Sequence, residues 1–186
     1  MKAMNQQSFR ISQFGTRVGT RLEGAAARPH LVEAVEALPA EGQLIISLEG
    51  IDVLSGSFAD EVIGKVYQDL VNGRYQDRTM LVQTPSMDLA DDLSHKLERR
   101  RLAMLCLSKG AWHLIGSHTP SLTETLGLII NKDQTTTKEL ASELGLQMNA
   151  CVNRVARLAK LHLIRREQIG MSGPQAIYSL HSILSS

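Results

Sequence analysis

The stretch "TTTKELASELGLQMNACVNRVARLAKLHLIRREQIG", Thr135 to Gly170, decides how the chain is read. Thr136 or Thr137 stands where a helix N-cap wants a hydroxyl. Leu140 and Leu144 share one side of the helix that follows, and Gly145 supplies the permissive backbone that ends it. Leu146 to Asn149 form a short turn. A further helix runs from about Asn149 to Leu161, with Cys151, Val155 and Leu158 on its inward stripe. Upstream, Leu122, Leu126 and Ile129/Ile130 predict an amphipathic helix. Downstream, "LIRREQI" and "AIYSL" alternate as two strands around the tip "GMSGPQ". Residues 117–186 thus read as three helices followed by a β-hairpin wing, the order of a winged helix-turn-helix.

The charge distribution agrees with a working surface here. The chain has 186 residues and a net charge of +1, yet Thr135 to Arg166 holds six Lys/Arg against two acids. That local excess leaves the remainder of the chain net negative, an asymmetry that suggests one basic working surface. A third helix that buries its apolar stripe turns its other side outward. On that side the spacing places Gln147, Met148, Asn149, Asn153, Ala156 and Arg157. Asn and Gln can pair bidentately with adenine, and Arg with guanine. Thr136, Thr137, Lys138, Lys160, Arg165 and Arg166 are better placed for phosphates, and Arg154 is counted with the DNA-facing set. Protein contact is the other use of such a face; the basic excess favours double-stranded DNA. One copy of such a unit makes few contacts, so a homodimer on a two-fold site is expected.

"TTKELASELGL…V..L..L.LIRRE" resembles bacterial winged-helix transcription regulators over roughly 65 residues. His162 departs from their pattern, in which glycine usually precedes "LI". His tolerates a positive φ better than bulky residues do.

The first 116 residues have a different texture. Ser8 to Leu22 suggest short strands broken by a turn. "PHLVEAVEALP" predicts a helix from Pro29, with Pro39 ending it. "QLIISLEG", Gln43 to Gly50, is an apolar run of strand length, the kind buried on both faces. Ser57 to Asn72 reads as a helix, Thr79 to Gln83 as a strand, and "PSMDLADDLSHKLERRR" as a helix for which Ser86 can cap and Asp88 suits the positive end. "LAMLCLS" and "AWHLIG" predict a hairpin. The whole is an α/β domain, residues 1–116, with a mixed sheet and helices, and "GSHTP", Gly116 to Pro120, is the boundary.

Within this domain "SGSFADE", Ser55 to Glu61, leaves several roles open for Ser57. It can cap the helix, with Asp60 reaching back in a capping-box variant. The turn can present amides to an anion, although Asp60 and Glu61 oppose one. Ser57 can be phosphorylated. As a nucleophile it lacks G-x-S-x-G and any histidine whose spacing singles it out; His30, His95, His113 and His118 are scattered.

"LIISLEGIDVLSGSFADEVIG" and the upstream "TR.GTRLEG" resemble the STAS superfamily, the fold of sulfate-transporter cytoplasmic domains and anti-sigma-factor antagonists. They are more similar still to a bacterial STAS-like family of unknown function. In the antagonists the motif at this turn is "D-S-S-G", and the second serine is phosphorylated by a partner kinase. The resemblance puts Ser55 at the aspartate, Gly56 at the first serine and Ser57 at the phosphorylated one, with Phe58 in place of the glycine. It implies a domain that receives a signal, a protein partner or a kinase.

Cys106 and Cys151 lie in apolar patterns without metal-ligand spacing, so two buried reduced thiols and no metal site are expected. No run reaches the ~18 apolar residues of a membrane span, and a soluble, cytoplasmic protein follows. The sequence therefore predicts a non-enzymatic, cofactor-free transcription regulator that binds DNA and senses through its STAS-like domain. The alternative is a partner-switching protein regulated at Ser57.

Overall fold

The computed structural model describes residues 5–132 and 134–184. The chain divides into two compact units, Met1–His118 and Thr119–Ser186. It is a mixed α/β protein.

The N-terminal unit is built on a five-stranded sheet. Its strands are β1 (Gln6–Arg10), β3 (Gln43–Ser47), β5 (Thr79–Thr84), β6 (Ala103–Ser108) and β7 (Ala111–Gly116), in that spatial order. The first four pair parallel, in registers such as Ile46 to Val82 and Val82 to Cys106; β7 folds back antiparallel on β6. Parallel neighbours need a crossover, and the crossovers carry α1 (Arg21–Glu36), the segment α2 (Gly56–Ala59) to α3 (Lys65–Val71), and α4 (Met87–Arg99). Between α2 and α3 the helix does not break but widens into one π turn, Asp60–Gly64. Both α1 and α4 touch that turn and α2 touches α4, so the helices form one layer. Phe58, Ile63, Tyr67 and Leu70 from this layer are fully buried with Leu44, Ile46, Met80 and Cys106 of the strands. The Tyr67 hydroxyl donates to the Ala103 carbonyl at 2.8 Å.

Two differences from the sequence expectation concern this layer. The first helix begins at Arg21, eight residues before Pro29. Thr20 caps it, accepting from the Glu23 amide while the Glu23 carboxylate takes the Thr20 amide. Pro29 lies inside. The carbonyl it leaves unbonded belongs to Ala25, which is exposed, so water can take the place of the missing donor. The segment Ser8 to Leu22, expected as strands, is instead β1, a 3-10 turn (Ile11–Phe14) and the two-residue β2 (Arg17–Val18) before that cap.

The second difference is at the serine turn. The N-cap of α2 is Ser55, not Ser57: its Oγ accepts from the Phe58 amide at 3.2 Å. Residues 17–18 pair parallel with β4 (Val53–Leu54), and the Ser55 amide donates to Val18 O at 3.0 Å. The Ser55 hydroxyl also donates to the Gly19 carbonyl. One serine thus closes the start of α2 and fastens it to the start of α1. Asp60 does not reach back to the turn, since its carboxylate is held by Arg100.

The C-terminal unit contains α5 (Pro120–Ile130), β8 (Thr135–Thr136), α6 (Thr137–Leu144), α7 (Met148–Lys160), β9 (Ile164–Ser172) and β10 (Gln175–Ser182). The three strands form an antiparallel sheet in the order β8-β10-β9. Leu122, Leu126 and Ile129 of α5, Leu140 of α6, Cys151, Val155 and Leu158 of α7, and Leu163 and Leu180 are its core. Gly145, at φ +63°, ends α6, and His162 takes φ +54° between α7 and β9. The β9–β10 ladder carries a bulge: Gln168 faces Tyr178 and Gly170 faces Ile177, so Ile169 has no opposite number.

Candidate nucleic-acid interface and the Ser57 turn

Helix α6 is anchored by a capping box. Thr136 Oγ1 accepts from the Glu139 amide at 3.3 Å, and the Glu139 carboxylate accepts from the Thr136 amide at 2.7 Å. Those bonds, the backbone one first, hold the Glu139 carboxyl below its ordinary pKa. The Thr136 hydroxyl is therefore engaged in the cap. Lys138 on the first turn is exposed, and Thr137 is half-buried.

Helix α7 has one wet side. Asn149, Asn153, Ala156 and Lys160 are exposed, at the three- and four-residue spacing of a single helical face. Val152, 46% exposed, and Met148, 45% exposed, lie along the same surface. The helix's opposite stripe is Cys151, Val155 and Leu158. Val152 was missed from the sequence because β-branched apolar residues in a basic helix read as core; its offset from the Cys151–Val155–Leu158 stripe was the available signal.

Gln147, Met148, Asn149, Asn153 and Ala156 thus share the exposed side named from sequence, while Arg157 is half-buried at its edge. Arg154 departs from the DNA-facing set. Its Nη1 donates to Thr125 Oγ1 at 3.2 Å and to Ser121 O at 3.4 Å, and stands 3.5 Å from the Glu124 carboxylate. The side chain spans the gap between α7 and α5 and ties the two helices. Its place in sequence, one residue after Asn153, puts it a quarter of the way around the helix toward α5.

On the wing, Arg166 is exposed and its guanidinium lies 5.3 Å from the centre of the Tyr178 ring, a cation–π contact that reaches diagonally from β9 to β10. Arg165 is half-buried. Ile169, Met171 and Ile177 are exposed toward the tip.

The Ser57 turn in the other unit is organised around two acids. Asp60 meets Arg100 through two bonds, at 2.7 and 3.1 Å. Burial pushes the Asp60 carboxyl up, but the Arg100 hydrogen bond and charge outweigh it, and the net displacement is downward. Glu61 is buried and accepts from Arg28 at 2.6 Å and Lys65 at 2.8 Å, with Arg21 at 3.9 Å. Ser57 is half-buried, and its hydroxyl makes no hydrogen bond among the described residues.

A lowered Asp60 pKa has a signed consequence. The pair stabilises the fold fully above the unfolded carboxyl pKa, about 4, and that stabilisation is lost as pH falls through the lower folded value. Arg100→Met should therefore cost stability at neutral pH, and the gap between variant and wild type should narrow as urea denaturation is repeated at decreasing pH below about 4. A gap that is constant with pH would show that Arg100 acts through packing alone.

Cys106 and Cys151 are free and buried, and burial pushes the Cys106 thiol up to about 11. Among the described residues no three His, Cys, Asp or Glu side chains are grouped to hold a metal ion, and no helix is long and apolar enough to cross a membrane. Compared with known proteins, the chain matches no family model, no curated protein and no solved structure.

Proposed function

We propose that the protein is a DNA-binding transcription regulator: a winged helix-turn-helix in the C-terminal unit contacts double-stranded DNA as a homodimer, and a STAS-like N-terminal unit receives a signal or a protein partner. The observation that carries this reading is the exposed side of α7, where Asn149, Asn153, Ala156 and Lys160 share one helical face, together with the exposed Lys138 on the first turn of α6. Amide side chains with donors and acceptors suit base edges, and the flanking cations suit phosphates. Arg166 on the wing extends the cationic track. Arg154 contributes by holding α7 against α5, not by touching DNA.

The test is an electrophoretic shift on random-sequence and genomic fragments at several salt concentrations. Affinity should fall steeply with salt, with Lys138→Gln and Arg166→Gln each reducing the slope of log K against log salt by about one. A complex that is indifferent to salt, or none at low salt, removes DNA from the function.

A second reading, partner switching of the anti-sigma-factor-antagonist type, is favoured by one observation. The helix cap belongs to Ser55, which leaves the Ser57 hydroxyl with no structural task. Phosphoserine at residue 57 in protein recovered from its native cells, sought by mass spectrometry, tests it; the absence of that modification under all growth conditions would count against it.

A further inference from the structure

A cleft of about 320 Å³ opens on the N-terminal unit between α1, α3 and the end of α4. Arg28 and Val32 of α1 line one side, Lys65, Gln68 and Asp69 of α3 another, and Arg74 and Arg100 complete the rim. Four of these seven side chains are cations, and only Asp69 is acidic.

Their carboxylate partners do not cancel them evenly. Asp60 is matched to Arg100, and Arg74 is held by Asp69 at 3.2 Å and Glu36 at 3.7 Å. Glu61, by contrast, has Arg28, Lys65 and Arg21 around a single buried carboxylate. Positive charge is therefore in excess where Arg28 and Lys65 meet the cleft. Arg28 spends one Nη on Glu61, and no other bond from its guanidinium is formed among the described residues. The buried Glu61 carboxylate takes some donors of Arg28 and Lys65 and so fixes where their remaining donors point, an arrangement that receives an oxyanion with little reorganisation.

Both carboxylates stand on the π turn: Asp60 meets Arg100 at the end of α4, and Glu61 meets Arg28 on α1. Such turns are rare and occur often at functional sites. Two glycines allow the close approach. A Cβ on Gly24 would lie 2.8 Å from the Glu61 Cβ, and one on Gly64 would lie 3.2 Å from Arg100 Nε.

We propose that this cleft binds a small molecule bearing a phosphate group, with Arg28, Lys65 and Arg74 as its ligands and Gln68 as an added donor. The site lies within the N-terminal unit and stands or falls independently of DNA binding. It gives the signal-receiving role a chemical class of ligand.

Inorganic pyrophosphate is the probe, titrated calorimetrically into the full chain against sodium chloride at matched ionic strength. Binding is expected below roughly 1 mM. Lys65→Met with Arg74→Gln should weaken it at least about tenfold, because charge-assisted bonds to phosphate are the strong ones. Arg28 still covers Glu61 in that variant, so it should fold, and an unchanged melting profile without ligand verifies this. Lys138→Gln with Arg166→Gln, in the other unit, should leave pyrophosphate affinity within about twofold, since neither side chain lines the cleft and exposed charges are screened by salt. No binding at roughly 1 mM, binding that survives the cleft variant, or binding lost with the Lys138/Arg166 pair would each overturn the assignment.

Discussion

Replacing Gly116 with alanine should destabilise the N-terminal unit by about 2–5 kcal/mol, the sum of a left-handed backbone strain and an overpacking cost. Gly116 ends β7 at φ +89°. An added Cβ there would run into the Leu102 carbonyl and lie 2.8 Å from the Leu97 Cβ. Neither neighbour is a flexible side-chain tip. One is backbone, the other the root of a fully buried leucine on α4. Gly110, at φ +78° in the β6–β7 turn, has nothing within 4 Å of the same hypothetical atom. Gly110→Ala should thus cost only the backbone strain, about 1–2 kcal/mol. Urea denaturation of the two variants side by side separates the contributions. Equal losses would mean that the close contact of β7 with α4 does not restrict position 116.

The second large effect is expected on DNA. Asn149→Ala combined with Asn153→Ala should lower affinity for a preferred sequence at least about 30-fold, since each bidentate base contact is worth about 1–3 kcal/mol. Both side chains are exposed on one side of α7 and neither supports the core, so the fold should be unaffected. Affinity for random DNA should change little, because the proposed phosphate contacts are Lys138, Lys160 and Arg166. The measurement is a competition between selected and random duplexes at fixed salt. If the double variant keeps its preference, the exposed side of α7 does not read bases. If it loses random binding as well, the helix acts through the backbone.

Periodicity made most elements legible. β3 and β5 showed as apolar runs, α6 and α7 as leucine and valine stripes with a glycine stop between them. What failed were positions where a local rule had two solutions. In "SGSFADE" both serines satisfy the cap pattern, and the choice of Ser55 rests on a tertiary bond to Gly19, 36 residues away. The early start of α1 was readable in Thr20-x-x-Glu23, but Pro29 looked like a first-turn proline and hid it. Arg154 is basic in a basic helix, and only the packing of α5 reveals that it faces inward. The π turn left no sequence signal, and the partners of its two acids, Arg28 and Arg100, lie 33 and 40 residues away in the chain.

The bulge at Ile169 bears on how this edge would meet another chain. β9 is an edge strand of its sheet, and one side of its nine residues of backbone has no neighbouring strand among the described residues. Ile169 and Met171 are exposed near its end. A straight, regular strand of that kind is a template on which another chain can polymerise. The extra residue breaks the repeat between Gln168 and Gly170, so an incoming strand cannot keep register past it, and Arg165, Arg166 and Glu167 add charges before it. Deleting Ile169 would straighten the wing and remove an apolar side chain at once. The cost would be a continuous edge, and concentrated solutions of the shortened chain should thicken into fibrils that bind amyloid dyes while the parent remains clear.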